Sequence, residues 1–247
     1  MKKTILLLFA FLGLIATTTT QAQTADEVIN KYIQAMGGKA KLDAIKTRKM
    51  SISIETQGME ILINTYQMRS NYYRSETNLQ GKTAIQTYNG KEGWSLDPFS
   101  GRETVEQMSA DDLKSMKEQA FFDGPLVDYK ANGYKVELDG EEDVEGAPAF
   151  HLKVTSPEND LTHYYIDKET YYLVKQKAKV KMQDGSEAES EIYFSNFKEQ
   201  DGVTMPFTLE TRQNYMGQKY STFLKITALQ NNIPLTPEFF GKPEVKK

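Results

Sequence analysis
The sequence predicts an α+β protein, mostly β, in which a single curved antiparallel sheet carries a few helices on one face. Short runs of alternating apolar and polar residues recur along most of the chain, and glycine-marked turns separate them. Only a few segments have helical periodicity, and each is bounded by its own capping signals. There is no internal repeat, low-complexity tract or linker, so residues 23–247 read as one domain.

At the N-terminus, Lys2 and Lys3 precede an apolar run from Ile5 to Ala16 that is too short to span a bilayer. The following "TTTTQAQT" supplies Thr20 and Ala22 as small residues for a signal peptidase. Residues 1–22 therefore read as a signal peptide cleaved after Ala22, and the protein as exported to the periplasm. Thr17 to Thr20 argue against a buried N-terminal helix, because threonine disfavours that conformation.

"TADEVINKYIQAMGG" reads as a helix. Thr24 and Glu27 make a capping box, Val28, Ile29, Tyr32, Ile33 and Met36 share a face, and Gly37-Gly38 end it. "KAKLDAIKT" adds a short second helix. Strands follow, with Met50, Ile52 and Ile54 alternating with polar residues before a turn at Gln57-Gly58. Residues 59–68, 72–78 and 82–88 continue the meander, and Trp94 begins a further strand after a turn at Asn89-Gly90. Ser109 then caps a helix with Leu113, Met116, Ala120 and Phe121 on one side, stopped by Gly124-Pro125. Strand-like runs cover 134–139, 148–155, 162–167, 171–182, 187–197, 205–215 and 219–228.

One hairpin allows its register to be predicted. A two-residue turn at Asp184-Gly185 would set Met182 opposite Glu187. A three-residue loop, Gln183-Asp184-Gly185, instead pairs Lys181 with Glu187, Lys179 with Glu189 and Lys177 with Glu191, and puts Gly185 where a bulge wants positive φ. Each exposed pair contributes only ~0.2–1 kcal/mol, but three together against three mismatches favour the second register. Val174, Ala178 and Val180 then face inward with Ala188, Ile192 and Phe194.

Composition removes several kinds of chemistry. With no cysteine there is no lipid-anchored cysteine, disulfide or thiol nucleophile. The formal charge is −4, and loss of Lys2 and Lys3 makes it two units more negative, which suits neither nucleic acid nor anionic membranes. The two histidines, His151 and His163, stand in strand-like runs without metal-ligand spacing. No nucleophile-elbow, P-loop or dinucleotide motif is present. The expectation is a protein without enzymatic activity, cofactor or metal. What the chain does supply is twelve phenylalanines, fourteen tyrosines, one tryptophan and ten methionines. Such residues are core material first, and are also what lines a cavity for flexible acyl chains.

"YQMRSNYYRSET", followed by "YNGKEGWSLDPFSGRETVEQM", resembles the LolA/LolB-type periplasmic lipoprotein carriers, with an arginine at a strand turn and a tryptophan turn leading to an aromatic–proline pair. "ADEVINKYIQAMGG", "YIDKETYYLVKQ" and "FKEQDGVTMPFTLE" look like the broader outer-membrane lipoprotein-sorting group, and the likeness covers most of the mature chain. The resemblance implies a half-open barrel whose concave face is covered by helices and whose interior holds lipid or lipoprotein acyl chains. It also implies a monomer that works with an inner-membrane donor and an outer-membrane acceptor, and related proteins act as lipid or stress sensors. Arg69 takes the position of the arginine that holds the helical lid, with Ser70 where proline is usual. Arg69, Trp94, Phe99, Met116 and Phe121 are the candidate ligand-contacting residues. For Trp94, plain core packing and a place at the cavity rim both remain open.

Overall fold
Capping decides where the chain first turns helical. In the computed structural model, which describes residues 23–56, 59–181, 186–215 and 217–244, α1 (Ala25–Ala35) starts at Thr24, and both bonds of the capping box with Glu27 are made. Its stripe buries Val28, Ile29 and Tyr32. Gly37 and Gly38, at φ 111° and 89°, break the helix, and α2 (Lys39–Ala44) follows. The signal-peptide segment 1–22 and the turns at Gln57-Gly58 and Gln183-Asp184-Gly185 lie outside the described residues.

The described residues contain thirteen strands in one antiparallel sheet. They are β1 (Thr47–Thr56), β2 (Met59–Met68), β3 (Tyr72–Leu79), β4 (Lys82–Asn89), β5 (Gly93–Asp97), β6 (Arg102–Gln107), β7 (Lys135–Val144), β8 (Ala147–Thr155), β9 (Leu161–Asp167), β10 (Leu173–Lys181), β11 (Glu187–Gln200), β12 (Val203–Tyr215) and β13 (Gln218–Asn231). Their spatial order, β6-β5-β4-β3-β2-β1-β13-β12-β11-β10-β9-β8-β7, explains the architecture. The chain starts mid-sheet at β1, meanders to the β6 edge, and crosses to the β7 edge through α3 (Ala110–Gln119) and residues 120–134. It then meanders back until β13 pairs with β1. That single crossing must lie over a face of the sheet. The sheet curves around it without closing, as expected for a half-open barrel with helices on its concave face.

The β10–β11 hairpin adopts the three-residue register, with Lys181 opposite Glu187, Lys179 opposite Glu189 and Lys177 opposite Glu191. The ion pairs form one step diagonally, however: Lys175–Glu191 at 2.5 Å, Lys177–Glu189 at 2.9 Å and Lys179–Glu187 at 3.7 Å. Strand twist brings long side chains to the diagonal neighbour as readily as to the direct one. Val174 departs from the expected inward set. A register shift between Leu173 and Lys175 takes it out of alternation, and it lines a cleft of about 230 Å³ on the outer face with Tyr193 and Phe223.

Two features have no counterpart in the sequence reading. Strand β6 is short, and only Val105 in it is other than exposed, so it carries no alternation signal. The C-terminal stretch packs on the outer face through a 3₁₀ turn, Pro237–Phe240. Phe239 meets Tyr66 edge-on at 5.0 Å, and Phe240, fully buried, meets Tyr72 at 5.5 Å. Arg74 stacks on the Phe239 ring and donates to its carbonyl at 3.1 Å.

Candidate functional site
Alternation sorts every strand residue onto one of two faces, and the crossing segment identifies the inner one. Arg48 lies 4.7 Å from the Phe122 ring of the crossing segment, so Met50, Ile52 and Ile54, in phase with it, also face inward. Through the ladders this face continues with Ile61, Ile63 and Thr65 on β2, Leu224 and Ile226 on β13, and Leu209 and Phe194 beyond. The result is an aliphatic belt across the middle of the concave face, and apart from Thr65, which is buried, its residues are only half-buried. Towards the end farthest from Phe122, Met59 and Tyr220 are openly exposed. The belt is the floor of a trough.

A lid closes one end of this trough. Ser109 caps α3 through a box with Asp112, and the helix buries Met116 and Ala120 against Tyr73, Tyr88 and Met108. This packing is dry enough that burial pushes the Tyr73 phenol up to about 12. Phe122 and Val127 pack with Leu42, Ile45 and Val203, while Leu126 joins the core beneath α1. Gln67 donates from β2 to the Gln119 carbonyl at 3.1 Å.

Arg69 latches the lid to the rest. From the β2–β3 turn its Nε donates to the Ile45 carbonyl at 2.7 Å and Nη2 to the Leu42 carbonyl, both at the C-terminal end of α2. The Leu42 carbonyl, which also accepts from the Ile45 N–H at 3.2 Å, stands at the negative end of the helix dipole, and Ile45 is the extended residue that caps the helix. The other edge of the guanidinium grips the Asp123 carboxylate at 2.5 and 3.1 Å. One side chain thus ties together the sheet, α2 and the lid. The proline expected after it is absent because Ser70 sits at φ 71°, and a proline ring holds φ near −65°.

The candidate residues are not brought to one place. Arg69 and Met116 belong to the closed lid, and Phe121 stacks on Tyr134 at 6.0 Å beside it. Phe99 is exposed on a 3₁₀ turn at the β6 edge. For Trp94, the ladder gives the face of the sheet on which the side chain lies. Gly93 pairs with Tyr88, and a Cβ there would meet Met108 and Leu113 at 2.7 and 2.9 Å, so Gly93 faces the lid. Trp94 pairs with Thr87 and therefore points to the outer face. The tryptophan lies beside a glycine because α3 packs directly on the backbone of β5.

Sequence reasoning missed Arg48, Phe122 and Asp123. "FFDGP" held the signal, an acid directly behind an aromatic pair at a helix stop, but its partners are more than fifty residues distant. His151 and His163 are on the outer face, Nε2 to Nδ1 at 2.7 Å, with Glu142 at 2.8 Å from the His151 Nδ1. Burial, then the neighbouring His151, lowers the His163 pKa.

Solved structures share this fold. A DUF1329 family protein from Desulfovibrio piger is 15% identical with a TM-score of 0.58, covering 87% of this chain and 96% of its own. A domain named for outer membrane lipoprotein sorting, from Vibrio parahaemolyticus, is 14% identical with a TM-score of 0.58, covering 86% and 95%. A LolA superfamily protein from Nitrosomonas europaea is 12% identical with a TM-score of 0.57, covering 90% and 99%. At these identities the likeness is one of fold. No curated protein sequence matches the chain. A family model described as "Uncharacterized protein" matches residues 68–247, and the chain, with its LolA-like open barrel, belongs to that family.

Proposed function
We propose that the protein is an exported, non-enzymatic carrier that takes the acyl chains of lipids or lipoproteins into the concave trough. The observation that carries this reading is the aliphatic belt from Ile52 to Phe194, which the lid leaves half-exposed. Soluble domains rarely leave so continuous an apolar face uncovered without a use for it. Each methylene moved from water into such a site contributes about 0.8 kcal/mol. A chain of roughly ten carbons or more is then needed to offset an association cost on the order of 4–15 kcal/mol. The names of the Vibrio and Nitrosomonas proteins are compatible with this role.

Native mass spectrometry of protein purified from the cell envelope without detergent tests the proposal. The expected species starts at Gln23 and carries a co-purified acyl lipid. An empty protein bound stably to another polypeptide would instead support a sensor or interaction domain on the same fold.

Fluorescence supplies an independent check. Because Trp94 faces outward, palmitate should leave its emission unmoved. A reporter placed on the belt, Phe194→Trp in a Trp94→Phe background, should shift to the blue as water leaves the indole. An unmoved reporter at saturating palmitate would sink the carrier reading.

A further inference from the structure
Beneath the lid, two guanidinium groups share one aromatic ring, and only one of them is paired with a carboxylate. Arg48 and Arg69 each lie 4.7 Å from the centroid of the Phe122 ring. Asp123 is already gripped through both oxygens by Arg69. Arg48 is only 9% exposed, yet its single hydrogen bond among the described residues is a long one, Nε to Asn231 Oδ1 at 3.4 Å. Burial pushes its pKa down to about 10, opposed by the charge of Asp123 and reinforced by that of Arg69, so it stays a cation at neutral pH. A buried charge with so little compensation is costly.

A second donor lies beside it. Thr65, 4% exposed, has a buried Oγ1 without a partner. Arg48 stands opposite Gln67, and Met50 opposite Thr65, so Thr65 is the diagonal inward-facing neighbour of Arg48. Unused donors of both kinds therefore converge at the closed end of the aliphatic belt.

We infer that Arg48, with Thr65, forms a site for the anionic group of an amphiphile, a carboxylate or a phosphate, whose tail lies along the belt, and that Asp123 occupies that role while the lid is closed. The inference rests on the carrier reading and adds the ligand's polar end to it. One negative charge answers the one positive charge in excess. Lifting residues 121–127 takes the Phe122 ring off Arg48 and carries the Asp123 charge away with it, so lid opening and capture of the anion are a single event. A neutral acyl ligand gains the belt but leaves the guanidinium unanswered.

The test compares cis-parinaric acid with its methyl ester, titrated at about pH 8, where the carboxylate is ionised. Wild type should bind the acid about tenfold more tightly, the equivalent of one charge-assisted hydrogen bond. Arg48→Gln should bind both equally, and Arg48→Lys should restore the preference, which a merely misfolded variant could not show. Asp123→Asn should raise affinity for the acid and not for the ester. Equal binding of acid and ester by wild type, or a preference that survives Arg48→Gln, overturns the inference while leaving the carrier reading intact. Binding of neither probe overturns both. Lysophosphatidic acid should displace the acid where equimolar inorganic phosphate does not. Displacement by inorganic phosphate would show a site for free anions and overturn the amphiphile assignment.

Discussion

Replacing Arg69 by leucine should open the lid without emptying the trough. The change removes donors to Ile45, Leu42 and Asp123 at once and strands the Asp123 carboxylate, whose side chain is only 13% exposed. Breaking a largely buried pair from one side costs about 3–5 kcal/mol. Part of that cost is recovered when the lid swings out and Asp123 reaches water. The expected global loss is therefore smaller, about 2 kcal/mol in urea unfolding, with the remainder appearing as local opening. Amide exchange should rise in residues 39–45 and 120–127 and stay unchanged in the central strands. Release of a bound acyl probe should accelerate about a hundredfold, because differences between related complexes fall mainly on dissociation. Unaltered exchange in those two segments would mean that Arg69 is an ordinary structural arginine and not a latch.

Gly37→Ala should be the most damaging single methyl group in the protein. A Cβ at Gly37 would stand 2.1 Å from the Gly202 carbonyl oxygen, a backbone atom with no rotamer to retreat into, and φ there is 111°. The end of α1 is docked on the β11–β12 turn by the adjacent bond from Thr204 N to the Met36 carbonyl, at 3.1 Å. The methyl group must therefore push helix and turn apart. Overpacking combined with a disfavoured backbone angle is expected to cost roughly 3 kcal/mol or more. Gly81→Ala is the control, because it too has positive φ, 78°, but nothing within 4 Å. It should lose only about 1–2 kcal/mol. Equal urea midpoints for the two variants would show that the α1 dock yields more easily than its geometry requires.

Much of the fold was legible because its causes are local. The capping box at Thr24, the glycine stop at 37–38, the Ser109 cap and the alternation in the long strands each act within a few residues. The β10–β11 register was legible because three lysine–glutamate pairs compete against three mismatches within one hairpin. The antiparallel sheet itself follows from consecutive runs joined by tight turns. Strand β6 gave no such signal, since an edge strand exposed on both faces has no reason to alternate.

Of the candidate residues, Arg69 and Met116 are in the lid and Phe121 is beside it, and Arg69 was singled out through a resemblance. By sequence alone, Trp94 could stand on either face, because alternation gives the period of a strand and not which of its phases faces inward. That phase was decided by α3, which packs on the backbone at Gly93 and turns the next side chain away. Arg48, Phe122 and Asp123 meet only because the crossing segment lies over the sheet, and Phe239 and Phe240 reach the outer face only because β13 runs back beside β1. Sequence determined the elements of this protein, their order and the registers within hairpins, since propensity, capping and turn chemistry are short-ranged. Tertiary structure decided which face is the trough, what latches it and which charge under the lid lacks its counter-ion, because burial and charge compensation depend on residues brought together from distant parts of the chain.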